Sequence, residues 1–149
     1  MAQLTITRAV LTNPVTAATV RALSGRVSGV ALGTTRIVIG FLFACHGYQK
    51  LFGAFGKGPV AIGAWPSWWA GLIELGAGAL IALGLFTRFA AVLCSGAMAY
   101  AYFTVHQAGG TLPLENKGEL AALYSWTFLL MAIVGPGSLS IDSIRRRRT

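Results

Sequence analysis

Four apolar runs organise the chain, at about residues 30–48, 68–86, 89–105 and 120–134. Each approaches the ~20 residues with which an α-helix crosses ~30 Å of hydrocarbon, the fourth being the shortest. Backbone groups inside lipid find no water, so these runs are predicted to be helices whose hydrogen bonds are internal. Only Thr87 and Arg88 separate the second and third runs, which predicts a tight antiparallel hairpin. Gly135-Pro136-Gly137 ends the fourth. The predicted class is all-α: an integral membrane, four-transmembrane-helix antiparallel bundle. A membrane domain over 29–138 follows a tail over 1–28 and precedes a basic tail over 139–149.

Composition agrees with this pattern. The chain is 55% hydrophobic and 11% charged, where soluble domains carry about 25% charged residues. Its net charge of +8 would suggest nucleic acid in a soluble protein. Here the arginines other than Arg36 fall in the N-terminal segment, at Arg88 and in Arg145–Arg148, outside the apolar runs. That placement predicts cytoplasmic flanks beside anionic lipid and no nucleic-acid partner. Both termini are therefore predicted cytoplasmic, with Lys50, Lys57 and Lys117 on the opposite side. Trp65, Trp68 and Trp69 stand at the outer end of the second run, as interfacial anchors do.

Residues 1–28 are rich in Ala, Val, Thr and Ser, with scattered Arg and no acid. They lack the compact apolar core of a secretory signal. A cytoplasmic tail, in part an interfacial helix, is the first reading, and an organellar transit peptide the second. Cys45 and Cys94 lie in different runs at depths about 13 Å apart, which predicts no disulfide. Gly53 and Gly56 in KLFGAFGKG predict a flexible or re-entrant loop.

Polar residues inside the runs carry the functional information. Glu74 is the first acid in the chain and sits in SWWAGLIELGAGALIALGLF. Its helical neighbours Ala70, Gly71, Ala77 and Gly78 are small, and small faces are where membrane helices approach one another. Arg36 lies on a comparable face with Gly33, Gly40 and Gly47. Counted from the inner helix ends, the two charges differ in depth by about 7–8 Å. An unpaired charge at mid-membrane costs about 2.5–3.5 kcal/mol on insertion scales, so a buried Arg36–Glu74 pair is expected.

At the outer end, His46 closes the first run and His106 the third, at depths within about one helical turn. With Lys50, Glu115, Asn116 and Glu119 they form a candidate outward-facing polar site. Such a cluster suits a quinone carbonyl, walled by Trp68, Trp69 and Tyr48, or a proton path, or, second to the quinone, haem between the two histidines. Interfacial capping of helix ends is the plainer alternative. No His-x-x-x-His or cysteine spacing supports a metal, and no nucleophile stands beside a base. Catalytic residues are left unassigned.

Three stretches together resemble the DoxX family of small bacterial membrane proteins. They are RIVIGFLFACHGYQKLFGAFG, IELGAGALIALGLFTRFAA and NKGELAALYSWTFLLMAIVGPGSLSID, spanning roughly residues 30–142. Arg36, His46, Gly47 and Lys50 match the family's first-helix pattern. Glu74, Gly76, Gly78, Gly84, Thr87 and Arg88 match the second, and Gly135, Pro136, Gly137, Ser140 and Asp142 the last. The resemblance implies a four-helix protein of the bacterial plasma membrane. It also implies a subunit or accessory of a quinone-linked or thiol and oxidative-stress redox complex, with redox partner proteins; the lipid bilayer and a homo-oligomer are the other partners expected of the chain. A non-redox scaffold or a small-solute transporter subunit is the alternative function.

Overall fold

The computed structural model describes residues 14–146. Helix α1 runs Pro14–Phe52, α2 Ser67–Leu83, α3 Thr87–Ala101, α4 Pro113–Asn116, α5 Glu119–Val134 and α6 Ile141–Arg146. A π turn, Tyr102–His106, and a 3₁₀ turn, Gln107–Gly109, carry α3 onward to the α4 loop. No strand occurs among the described residues beyond one isolated bridge, Ala54 to Lys57, in the loop after α1.

α1 is helical from Pro14, the first described residue, so it extends upstream of the apolar run expected from about Val30. Proline fits the first helical turn, and Ala, Val, Leu and Arg then sustain the helix; Gly25 and Gly29 each weaken it by about 1 kcal/mol without ending it. At 39 residues, α1 is about 58 Å long, roughly twice the hydrocarbon thickness. Its first half stands largely exposed. Residues 1–13 and 147–149, including Arg8, Arg147 and Arg148, lie outside the described residues.

Two helical stretches are long and apolar enough to cross a membrane: Val15–Phe52, within α1, and Thr87–Gly109, which is α3 with its two turns. Ser67–Leu83 and Glu119–Val134 are apolar but shorter, at 17 and 16 residues.

The helices meet through small residues. A Cβ on Gly47 would lie 2.3 Å from the backbone nitrogen of Leu75 and 2.6 Å from the carbonyl oxygen of Gly71. One on Gly40 would lie 2.6 Å from the nitrogen of Ala82. Both contacts are with backbone, which no rotamer change relieves, so α1 and α2 touch backbone to backbone along this seam. The small faces expected around Arg36 and Glu74 are these faces.

On the other side of the molecule, α3 packs on α5. Ser95 Oγ donates to the Ser125 carbonyl at 2.9 Å and Ser125 Oγ to the Ser95 carbonyl at 3.2 Å. Phe43 of α1 closes the ring of helices against α5, 4.7 Å from Phe128 and 5.1 Å from Tyr124 between centroids. The core is Phe43, Ala77, Ile81, Ala90, Ala91, Cys94, Met98, Phe128 and Met131. Large side chains such as Phe41, Phe89, Trp126 and Ile133 face outward. A soluble core inverts that arrangement. Cys45 and Cys94 are both free thiols.

At one pole, charged side chains tie the ends of helices together. Gly84, at φ 69°, ends α2, and its N–H returns to Ile81. Phe86 and Thr87 then open α3, and Asp142 caps it. Its carboxylate accepts from the Phe86 and Thr87 N–H groups, each at 3.0 Å, and from Thr87 Oγ1 at 2.9 Å. Partial burial pushes the Asp142 carboxyl up, but these bonds and the charge of Arg146 outweigh it and hold the group below the ordinary Asp range.

Candidate functional site

The first-helix residues Phe43, His46 and Lys50 recur at three- and four-residue spacing, which places them on one side of α1. That side faces Glu74 of α2, Met98 and Ala101 of α3, His106 of the π turn, and Lys117, Leu120, Ala121 and Tyr124 around the start of α5. Together they line a cavity of about 220 Å³. Drug-sized pockets run to about 300–1,000 Å³, so this one suits a single ring head group.

Both charges expected inside the membrane runs are buried, Arg36 at 1% and Glu74 at 2% exposure. They do not pair with each other. Glu74 Oε1 accepts from Lys50 Nζ at 2.5 Å. Arg36 instead donates to four carbonyls: Pro136 through Nε at 3.0 Å, Ala82 at 2.8 Å, and those of Ile81 and Leu139.

The reason is register. The seam sets Gly47 against Gly71 and Leu75, and Gly40 against Gly78 and Ala82. Continued by one turn, it brings the Arg36 guanidinium against Gly84. Glu74 is ten residues from that level, about 15 Å along the helix. Depth counted from assumed helix ends had halved this distance. Lys50, on the same stripe as Arg36, lies about one turn from the level of Glu74 and takes the role.

The outward cluster divides. His46, Lys50 and His106 reach the cavity, and Tyr124 stands edge-on to His46 at 6.1 Å between centroids. Glu115 and Glu119 are exposed and do not line it. Asn116 lies buried behind it and fastens the loop. Its Nδ2 donates to the Gly110 carbonyl at 2.9 Å and to Tyr102 Oη at 3.4 Å, while Oδ1 accepts from the Gly118 N–H at 2.7 Å. The Asn116 main-chain carbonyl lies 3.3 Å from His106 Nδ1. A carbonyl only accepts, so Nδ1 carries the proton and Nε2 of the neutral ring is an acceptor. The loop thereby sets the tautomer of a cavity residue.

The aromatic wall is also corrected. Tyr48 leans on Phe52, and Trp68 on Trp69. Trp69 lines an apolar groove between α2 and α3 instead. At about 100° per residue, Tyr48 is turned about 160° from His46, and Trp69 about 140° from Glu74. Phe43 and Tyr124 supply the rings instead. Sequence reasoning missed Tyr124; its one signal is a phenol at a four-residue spacing from Leu120 and Phe128. Among the described residues, no three His, Cys, Asp or Glu side chains gather to hold a metal ion.

Comparison with known proteins adds a family. The family model described as DoxX matches residues 31–107, from α1 to the start of the 3₁₀ turn. A Haemophilus influenzae protein described as "Uncharacterized protein" is 42% identical over 118 residues, covering 75% of this chain and 88% of that one. No solved structure matches.

Proposed function

The chain belongs to the DoxX family of membrane proteins, and from that premise we propose that it binds a quinone ring as a subunit or accessory of a quinone-linked redox system. In this reading α1, α2, α3 and α5 all cross a bacterial plasma membrane. The termini are cytoplasmic, and the His46–His106 pole faces outward. The clustering of Arg88 with the basic termini supports that orientation, since cytoplasmic flanks collect Lys and Arg.

One observation carries the functional part. The cavity combines apolar walls from Phe43, Met98, Leu120 and Ala121 with a few polar groups, among them His46, Lys50, Glu74, His106 and Lys117. A flat ring packs on such walls, while an ammonium or imidazole N–H of Lys50, Lys117 or His46 donates to its carbonyl. The volume admits a head group and leaves an isoprenoid tail outside, in lipid.

The test is photocrosslinking of an azido-naphthoquinone to the protein in lipid nanodiscs, with mass analysis of co-purifying proteins and small molecules. Adducts are expected on the segments 43–50, 98–106 and 117–124, and unlabelled naphthoquinone should compete them away. Labelling spread evenly over the lipid-facing helices, with no redox partner recovered, would leave a non-redox scaffold or transporter subunit as the better reading.

A further inference from the structure

The cavity contains a carboxylate that is only half satisfied. Glu74 Oε1 accepts from Lys50 at 2.5 Å. Its other oxygen, Oε2, is buried, and no donor among the described residues lies within hydrogen-bonding distance. Glu74 as a whole is 2% exposed, and it lines the cavity beside His46 and His106. Buried carboxylate oxygens are costly to leave without donors. A second acceptor stands nearby, because the Asn116 carbonyl takes the Nδ1 proton of His106 and leaves Nε2 with a lone pair. At Glu74 Oε2 the cavity therefore asks for a group that donates.

A quinone oxygen cannot meet that need, being an acceptor only; against Oε2 it would set lone pair against lone pair. A ring hydroxyl can. We propose that the cavity favours the hydroxylated, reduced form of the ring, with one O–H donating to Glu74 Oε2. This rests on the ring-binding reading given above and specifies which redox form the site prefers. Lys50 is a positioning residue here: it holds Oε1 and leaves Oε2 as the oxygen without a protein donor. No electron transfer is assigned to the protein's own side chains; the preference is one of binding.

Stable analogues separate the two ideas. The probes are 1-naphthol, 1-methoxynaphthalene, which has the same ring but no O–H, and 1,4-naphthoquinone. Each is titrated into full-length protein in nanodiscs, with empty nanodiscs subtracted. The expected result is naphthol binding about ten-fold or more tightly than the ether, since sites built around a hydrogen bond discriminate strongly against analogues that lack it.

Glu74→Gln should reverse the order. An amide whose oxygen faces Lys50 places its NH₂ where Oε2 was, and a donor there favours the quinone. Equal affinity of wild-type protein for naphthol and its ether overturns the proposal even if Glu74→Gln does not fold. If naphthoquinone binds but the naphthol preference is absent, this inference falls while the ring-binding reading stands. If no probe binds, both fall.

Discussion

The two poles of the molecule handle buried charge in opposite ways. At one, Arg36 is 1% exposed and donates to four carbonyls, while both Asp142 oxygens accept from the start of α3. At the other, Glu74 is equally buried but has one oxygen without a protein donor, and it faces a cavity. The two charges are equally buried, but only Arg36 is satisfied by protein groups; beside it the Ser138 hydroxyl, also buried, has no partner among the described residues. A buried charge bonded to protein groups favours one arrangement of the chain, whereas a buried charge left partly bonded is costly. The first pole is architecture, and the second is where we propose that a ligand binds.

The largest expected effect breaks the first pole. Arg36→Met keeps much of the side chain's length but leaves the Pro136, Ile81, Ala82 and Leu139 carbonyls without their donor. Stability should fall by about 3 kcal/mol or more, read as a lowered thermal midpoint in detergent. Ring binding by the surviving folded protein should be unchanged, because Arg36 is remote from the cavity.

Next in size is a double-mutant cycle that sharpens the contrast. Lys50→Met and Glu74→Leu should couple by about 1 kcal/mol, since one part-exposed ammonium and one buried carboxylate meet there. Arg36→Met and Glu74→Leu should be additive within about 0.5 kcal/mol. Coupling between Arg36 and Glu74 would show that the register of α1 on α2 is wrong.

Asp142 gives a smaller effect with a pH signature. Asp142→Ala removes the cap of α3 and should cost about 1 kcal/mol. The carboxyl is held below the ordinary Asp range when folded. Its stabilisation is therefore complete above the unfolded value, about pH 4, and is lost as pH falls from there through the folded value. Thermal melts of wild-type protein between pH 5 and 3 should fall more steeply than those of Asp142→Asn.

The smallest effect is expected from Glu115→Gln and Glu119→Gln. Both side chains are exposed and outside the cavity lining, so stability should change by less than about 0.5 kcal/mol. Affinity for 1-naphthol should not move. A ten-fold loss of affinity in either variant would return these acids to the site.

The amino-acid sequence by itself determined the helical class, the existence of a tight hairpin between α2 and α3 (though its turn is Gly84–Phe86 and not Thr87–Arg88, which open α3), the small faces of α1 and α2, and the family. Each depends on local pattern: apolar length, glycine spacing, the order of motifs. It also identified Arg36, His46, Lys50, Glu74 and His106 as polar residues in apolar surroundings, because charge near lipid is conspicuous wherever it stands. What it did not determine was their partners. Pairing depends on the register of α1 against α2, which Gly40, Gly47 and Gly78 set through backbone contacts that a helical wheel drawn for one helix does not contain. A shift of a few residues moves a side chain by a turn, enough to exchange Arg36 for Lys50. Tertiary structure alone likewise brought Tyr124 in and placed the Asn116 carbonyl on His106. Each outcome follows from the azimuth and axial offset of a whole helix, which its neighbours decide.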